Sequence, residues 1–232
     1  MVTNEPRSTL ARLSDRVLLT HAEKERASST KTFASTLAIL YCLIVSVAAQ
    51  SGQIGERKRD ILLEKLLQMT RTMDECMESW SQEAKHHANK LLNCEAAMIL
   101  GRGPNLPAAL QGALLLKEVT KLPAEGMSSG EFAHGPIEAI SKKFSVVVLG
   151  GGRTSNLQYR LALRSKSLHA KVLMLTPHAV RNMDSINYGE TDEDLAIFPS
   201  AVLLELLAYH AAVRKGLNPD HFNVIHKVTR RE

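Results

Sequence analysis

The chain has 232 residues, 44% hydrophobic and 23% charged, an ordinary globular composition with enough length to bury a core in one large domain or two small ones. Aromatic residues make up only 4%, which argues against an RNA platform built on stacked rings. The net charge is +5 and the isoelectric point about 9.2. The lysines and arginines are scattered rather than in blocks, so a small anionic substrate is expected and a nucleic-acid partner is not.

The chain opens on Met1-Val2-Thr3-Asn4-Glu5-Pro6, without the basic stretch and apolar run of a signal peptide; it reads as the end of a strand and a loop. Residues 16–20 are a short apolar run, expected as a buried strand. Within the polar segment 22–32, Ser29 and Thr30 are natural N-caps for the helix that follows. Residues 33–49 carry no charge and are at the lower edge of what spans a bilayer. Ser35, Thr36 and Ser46 dilute this run and no basic flank orients it. A buried core helix is therefore expected, with no membrane partner. The polar, glycine-containing segment 50–55 reads as a linker, which divides the chain into residues 1–52 and 53–232.

Residues 56–93 read as two amphipathic helices, one with the stripe Ile61, Leu62, Leu66 and Met69, the other with Met73, Met77, Trp80, Ala84 and Ala88. His86 and His87 are adjacent and diverge on a helix, and no carboxylate–histidine set accompanies them, so no metal is expected. Cys42, Cys76 and Cys94 are odd in number and lack metal spacing; they read as reduced thiols of a cytoplasmic protein.

Residues 96–103 predict a buried strand running into a glycine-rich turn, the arrangement by which α/β sheets offer backbone N–H groups to phosphates. Gly101-Arg102-Gly103 alone is not a dinucleotide fingerprint. A mostly buried helix over 112–119 ends in Lys117-Glu118, and an extended piece follows at 122–124. Ser128 and Glu131 have capping-box spacing. His134 precedes Gly135-Pro136, with Pro136 suited to the first position of a further helical turn. Strands are expected at 144–149 and 171–176 around a helix over 154–167, with an edge strand at 192–197 and a long apolar helix over 199–215. Such alternation predicts a three-layer αβα domain with a parallel sheet covered on both faces. Ligands of such sheets bind beyond the C-terminal strand ends.

The order Lys117-Glu118, then A-E-G-M-S-S-G-E-F-A-H-G-P over 124–136, resembles the sugar isomerase (SIS) domain family. The segment from Glu25 to Phe33 resembles the family's E-x-x-V-A-S-T-K-x-F loop, and His226-Lys227-Val228-Thr229 its C-terminal tail. The resemblance implies one complete SIS domain with its tail at 53–232, preceded by the remnant of a first at 1–52. It implies an isomerising aminotransferase acting on a sugar phosphate, without a cofactor. Glu118 would shuttle a proton between C1 and C2, as a carboxylate can. His134 would open the sugar ring near neutral pH, supplied across the interface of a homodimer. Lys227 would condense with the C2 ketone as a Schiff base, and Ala27, Ser28, Ser29 and Thr30 would line the sugar site.

On the residues alone, other readings stay open. Glu118 could be a surface carboxylate paired with Lys117 or Lys121, His134 a cap or core histidine, and Lys227 a solvated lysine near a terminus. The chain also departs from the family. Leu115 stands where the pattern has a lysine, and the loop between Glu25 and Ser29 is one residue shorter. The phosphate loop of a first SIS half would lie before Met1, and no glutaminase domain is present. A sugar-phosphate deaminase or deglycase, and a non-catalytic sugar-phosphate binder, are therefore the alternatives. Whether the chain is active alone is left open.

Overall fold

The computed structural model describes residues 1–222 and residue 224. They form two units, Met1–Asp74 and the chain from Glu75 onward, each described by itself.

The first unit holds strand β1 (Val2–Thr3), helix α1 (Thr9–Leu13), strand β2 (Leu18–Leu19), helix α2 (Lys31–Gln50) and most of helix α3 (Glu56–His87). β1 and β2 pair in parallel, Val2 opposite Leu18 and Thr3 opposite Leu19. Two strands of two residues cannot cover a helix of 20. The buried core helix expected for 33–49 is accordingly not found: only Val45 of α2 is buried. Leu40, Leu43, Ile44 and Val47 are exposed, Ile44 at 68%, and their i, i+3, i+4, i+7 spacing puts them on one helical face. Both α2 and α8 (Ile197–Arg214) are long and apolar enough to cross a membrane by length and composition, and most of the apolar stretch of α8 is buried inside the protein.

α3 corrects a second expectation. Where two helices were predicted over 56–93, one helix of 32 residues runs to His87, and only the short α4 (Asn89–Leu92) follows. No glycine or proline lies between Glu56 and His87 to interrupt it.

In the second unit the order is β3 (Ala96–Gly101), α5 (Leu106–Leu115), β4 (Ala124–Ser128), α6 (Ser129–His134), β5 (Phe144–Leu149), α7 (Ser155–Ser167), β6 (Lys171–Thr176), β7 (Ser185–Asn187) and α8. The five strands form one sheet in the order β4-β3-β5-β6-β7, all parallel. β3, β5 and β6 are buried at five of their six positions, as strands covered on both faces must be. The edge strand is Ser185–Asn187, paired with Met174–Thr176, and not 192–197. That segment instead makes a 3₁₀ turn, Glu193–Leu195, into α8; its apolar residues Leu195, Ala196 and Ile197 are consecutive and all buried, which suits a helix entry rather than a half-exposed edge.

The two faces of the sheet are covered by different helices. On one, Phe132 of α6 and Leu161 and Ala162 of α7 pack with Met98, Leu100, Val146 and Val148. On the other lie α5 and α8. α5 sits so close to β4 that a Cβ on Gly126 would be 2.5 Å from the Ala109 carbonyl oxygen, and a Cβ on Gly112 would be 2.6 Å from Leu204 Cδ1 of α8. A methyl at either point would force the helix off its neighbour. α3 is tied to α8 by Ser81 Oγ and His210 Nε2, 2.9 Å apart.

Three groups of this unit make stability depend on pH. Burial, and then the charge of His86, lower the pKa of His87 below 6.5; burial, and then Lys85, lower that of His210. The hydrogen bond from Lys90, at 2.5 Å, lowers that of Asp184 below 3.8. For a histidine with a depressed pKa, the unfolded chain binds more protons, so its contribution is present above pH 6.5 and lost as pH falls through that value. The Asp184 contribution is present above 3.8 and is lost only at still lower pH. Urea unfolding should therefore show stability dropping between about pH 7.5 and about pH 5.5, and replacing both His87 and His210 by glutamine should flatten that step. A pH slope unchanged by the double replacement is the contrary result.

Candidate functional site

The backbone does not end α5 on a simple cap. After Leu115 it widens into one π-helical turn, Leu116–Thr120, and then turns at Lys121, whose φ is +58°. Single π turns of this kind are frequent at functional sites. Leu116, Val119 and Thr120 are buried, Lys117 is exposed and Glu118 is half-buried. Thr120 Oγ1 donates to Leu116 O at 2.6 Å and accepts from Leu122 N at 3.2 Å, and Lys215 Nζ donates to Thr120 O at 3.1 Å. Lys121 Nζ donates to the backbone carbonyl of Glu118 at 2.5 Å. The lysine is thus spent on the main chain, and among the described residues the Glu118 carboxylate has no ion pair with Lys117 or Lys121.

His134 is reached through β4 and α6. Ser128 caps α6 by accepting from Gly130 N at 3.3 Å. It makes the cap that its spacing predicted, while Glu131, the expected reciprocal partner, is exposed. Phe132, fully buried, anchors α6. His134 is its last residue and is exposed, and Gly135 leads into a 3₁₀ turn, Pro136–Ala139. Glu118 therefore precedes β4 on the α5/α8 face, and His134 follows β4 on the α6/α7 face. β4 has five residues, about 16 Å of strand, and the sheet lies between the two layers. Within one chain, Glu118 and His134 thus flank β4 at its two ends and in different helical layers.

Ala27, Ser28, Ser29 and Thr30 lie in the first unit, folded around Glu25. The Glu25 carboxylate accepts from Thr30 N at 2.7 Å, Thr32 N at 3.1 Å, Thr32 Oγ1 at 2.6 Å and Ser29 Oγ at 3.3 Å. Ala27 is buried, and Ser28 Oγ is buried and has no hydrogen-bond partner among the described residues. The expectation that Ser29 or Thr30 caps α2 is corrected: Thr30 makes no side-chain cap bond. A carboxylate accepts two amides and two hydroxyls at once and complements the positive helix end, which a hydroxyl cannot match. Lys227 lies outside the described residues.

Asn105 and Tyr188, which the sequence reading did not single out, help close the crevice between the ends of β3 and β5, where α5 and α7 leave to opposite faces. Gly101 has no room for a side chain, since a Cβ would be 2.4 Å from Asn105 O. Asn105, 4% exposed, donates through Nδ2 to Gly150 O at 3.4 Å. Tyr188 OH donates to the same oxygen at 2.9 Å, and burial pushes its phenol above the usual range, so it remains a neutral donor. The glycine-rich turn at 101–103 was legible, but Tyr188 comes from a distant segment and Asn105 carries no signal of its partner. Among the described residues, no three His, Cys, Asp or Glu are grouped to hold a metal.

Removing the carboxylate that caps α2 should cost what a strong cap contributes. Glu25→Ala should lower the unfolding free energy of the chain by about 1–2 kcal/mol, with Glu25→Gln falling between it and the parent. Equal denaturant midpoints for all three proteins would show that the cap contributes nothing.

Comparison with known proteins places this geometry. The SIS domain model matches residues 90–214. The chain is 33% identical to a glutamine–fructose-6-phosphate aminotransferase (isomerizing) of Rhizobium meliloti and 34% identical to one of Gloeobacter violaceus, in each case over 94% of this chain and 37% of the relative. It thus spans little more than a third of the length of these relatives. Among solved structures, the C-terminal domain of glucosamine-fructose-6-phosphate aminotransferase from Francisella tularensis matches with a TM-score of 0.84 at 24% identity, over 93% of this chain and 63% of that one. Glucosamine-6-phosphate deaminase from Thermotoga maritima matches with a TM-score of 0.69 at 22% identity, over 97% and 65%.

Proposed function

The chain belongs to the SIS domain family, and from that premise we propose that it acts on a phosphorylated sugar as the isomerising, aminating half of an aminotransferase. The relatives just named support this reading. Residues 53–232 would make up one SIS domain with its tail, and residues 1–52 part of another. The free cysteines suit a cytoplasmic setting.

The observation that carries the proposal is the placement of Glu118 and His134 on opposite faces of one sheet. A site that needs both must take them from two chains, so the working unit is a homodimer. The exposure of His134 at the end of α6 leaves it available to a neighbour. In a shared site, His134 protonates the ring oxygen and takes the proton of the anomeric hydroxyl, which opens the sugar. Lys227 attacks the C2 ketone and water leaves, forming a Schiff base; ammonia then displaces the lysine. The Glu118 carboxylate removes a proton from C1 and returns it to C2, while the C1 hydroxyl gives up its proton and the nitrogen gains one, so the C2–N double bond becomes the C1 aldehyde of a 2-amino aldose phosphate. The hydrogen bonds around Thr120 hold the turn from which Glu118 reaches the substrate, as a site on a rigid element requires. Ala27 to Thr30 would face the sugar through backbone groups and the unpartnered Ser28 hydroxyl.

A second reading rests on Leu115, which is 2% exposed and stands where the family pattern has a lysine. Without that lysine the same residues fit deamination or deglycation, which start from the amino sugar.

The test is interconversion of fructose 6-phosphate and glucosamine 6-phosphate, in both directions, with ammonia. Glu118→Gln should lower turnover by roughly a hundredfold or more. His134→Ala should impair cyclic substrate more than an open-chain analogue. Mixing the two variants should recover part of the activity, because one of the two shared sites in each heterodimer is then intact. Turnover unaffected by Glu118→Gln would remove the proposed mechanism. No recovery in demonstrated heterodimers would put both residues in one subunit's site.

A further inference from the structure

Beyond the C-terminal ends of β5 and β6, two clefts open side by side within the second unit. The first, about 370 Å³, lies between the start of α7 and the segment after β6. Val180 and the ring of Tyr159, both half-buried and packed on the buried Met174, give it apolar lining, and no carboxylate lines it. Arg181 stands at its edge, exposed, and among the described residues its guanidinium has no ion-pair partner. The second cleft, about 500 Å³, is lined by Glu190, Thr191 and Asp192 and shares Ser155, Pro177 and His178 with the first. His178 Nε2 lies 3.1 Å from Glu190 Oε1 across the shared edge.

Apolar and aromatic surface beside an unpaired arginine, with carboxylates one compartment away, is a divided chemistry. We propose that the joined clefts form a mononucleotide site, separate from Glu118 and His134. The volumes are those of ligand sites. The base lies against Val180 and Tyr159, where a planar ring covers apolar surface and stacks on the phenol. The phosphate meets Arg181, whose planar guanidinium matches two phosphate oxygens. The ribose diol points over His178 to Glu190 and Asp192, as carboxylates in α/β folds take ribose hydroxyls beyond strand ends. A sugar phosphate alone would leave the apolar wall uncovered. A polynucleotide would bring a further phosphate toward Glu190 and Asp192, which repel it.

The experiment is NMR titration of the full chain with AMP, GMP, CMP and UMP, with ribose 5-phosphate as control at matched ionic strength. At least one mononucleotide should bind saturably, shifting signals of Tyr159 and residues 177–181. Arg181→Ala, at an exposed position that leaves the core intact, should weaken binding by roughly tenfold or more. Glu190→Gln should narrow the preference for the ribonucleotide over its 2′,3′-dideoxy form. Glu118→Gln should leave binding unchanged, which separates this site from the catalytic reading. The proposal is overturned if none of the four nucleotides binds saturably, if ribose 5-phosphate binds as well as they do, or if Arg181→Ala leaves the affinity unchanged.

Discussion

The approach of α5 to β4 is the constraint from which much of the second unit follows. Gly126 and Gly112 remove the Cβ atoms that would hold α5 away from the sheet and from α8. At that distance α5 packs as a flat layer, and the π turn after it is pinned between Thr120, Leu122 and Lys215. β4 must then run parallel to β3, in register from Ala124 opposite Ala97 to Ser128 opposite Gly101. The chain leaves β4 at the other end of the sheet. α6 turns onto the opposite face, because Phe132 finds its core there with Met98 and Leu100.

The separation of Glu118 from His134 is thus a consequence of packing and not an independent feature. A parallel sheet covered on both faces places successive crossings at its two ends. Two residues that flank one strand, one before and one after, lie at opposite ends of it. When consecutive helices also take opposite faces, no side chain spans the gap. Chemistry that needs both residues requires a second chain, and symmetry then provides two equivalent sites.

The first unit is governed by electrostatics more than by packing. Its two short strands bury little, and α2 leaves an apolar stripe uncovered. In the segment before α2 the carboxylate of Glu25 gathers the amides of Thr30 and Thr32 and the hydroxyls of Ser29 and Thr32. The same group that fixes the conformation of this segment occupies the positive end of α2. Among the described residues the buried Ser28 hydroxyl there has no hydrogen-bond partner.

The sequence by itself determined the parallel α/β architecture, since apolar runs at 144–149 and 171–176 on either side of a helical segment are local signals that required no partner to interpret. It determined the Ser128 cap and the helical turn at Pro136 for the same reason. It also carried the SIS resemblance through residues spaced in order along the chain. The tertiary structure alone decided that one sheet edge is Ser185–Asn187 and that α2 finds no core. Each depends on which surfaces are available to be covered, and a periodic pattern does not report that. It decided that Lys121 serves the backbone rather than the Glu118 carboxylate, and that Asn105 and Tyr188 converge on Gly150 from segments 45 and 38 residues away. The bonds of Asn105 and Tyr188 join groups brought near only by the fold, where burial makes an unpaired donor costly. No local preference of the chain encodes them.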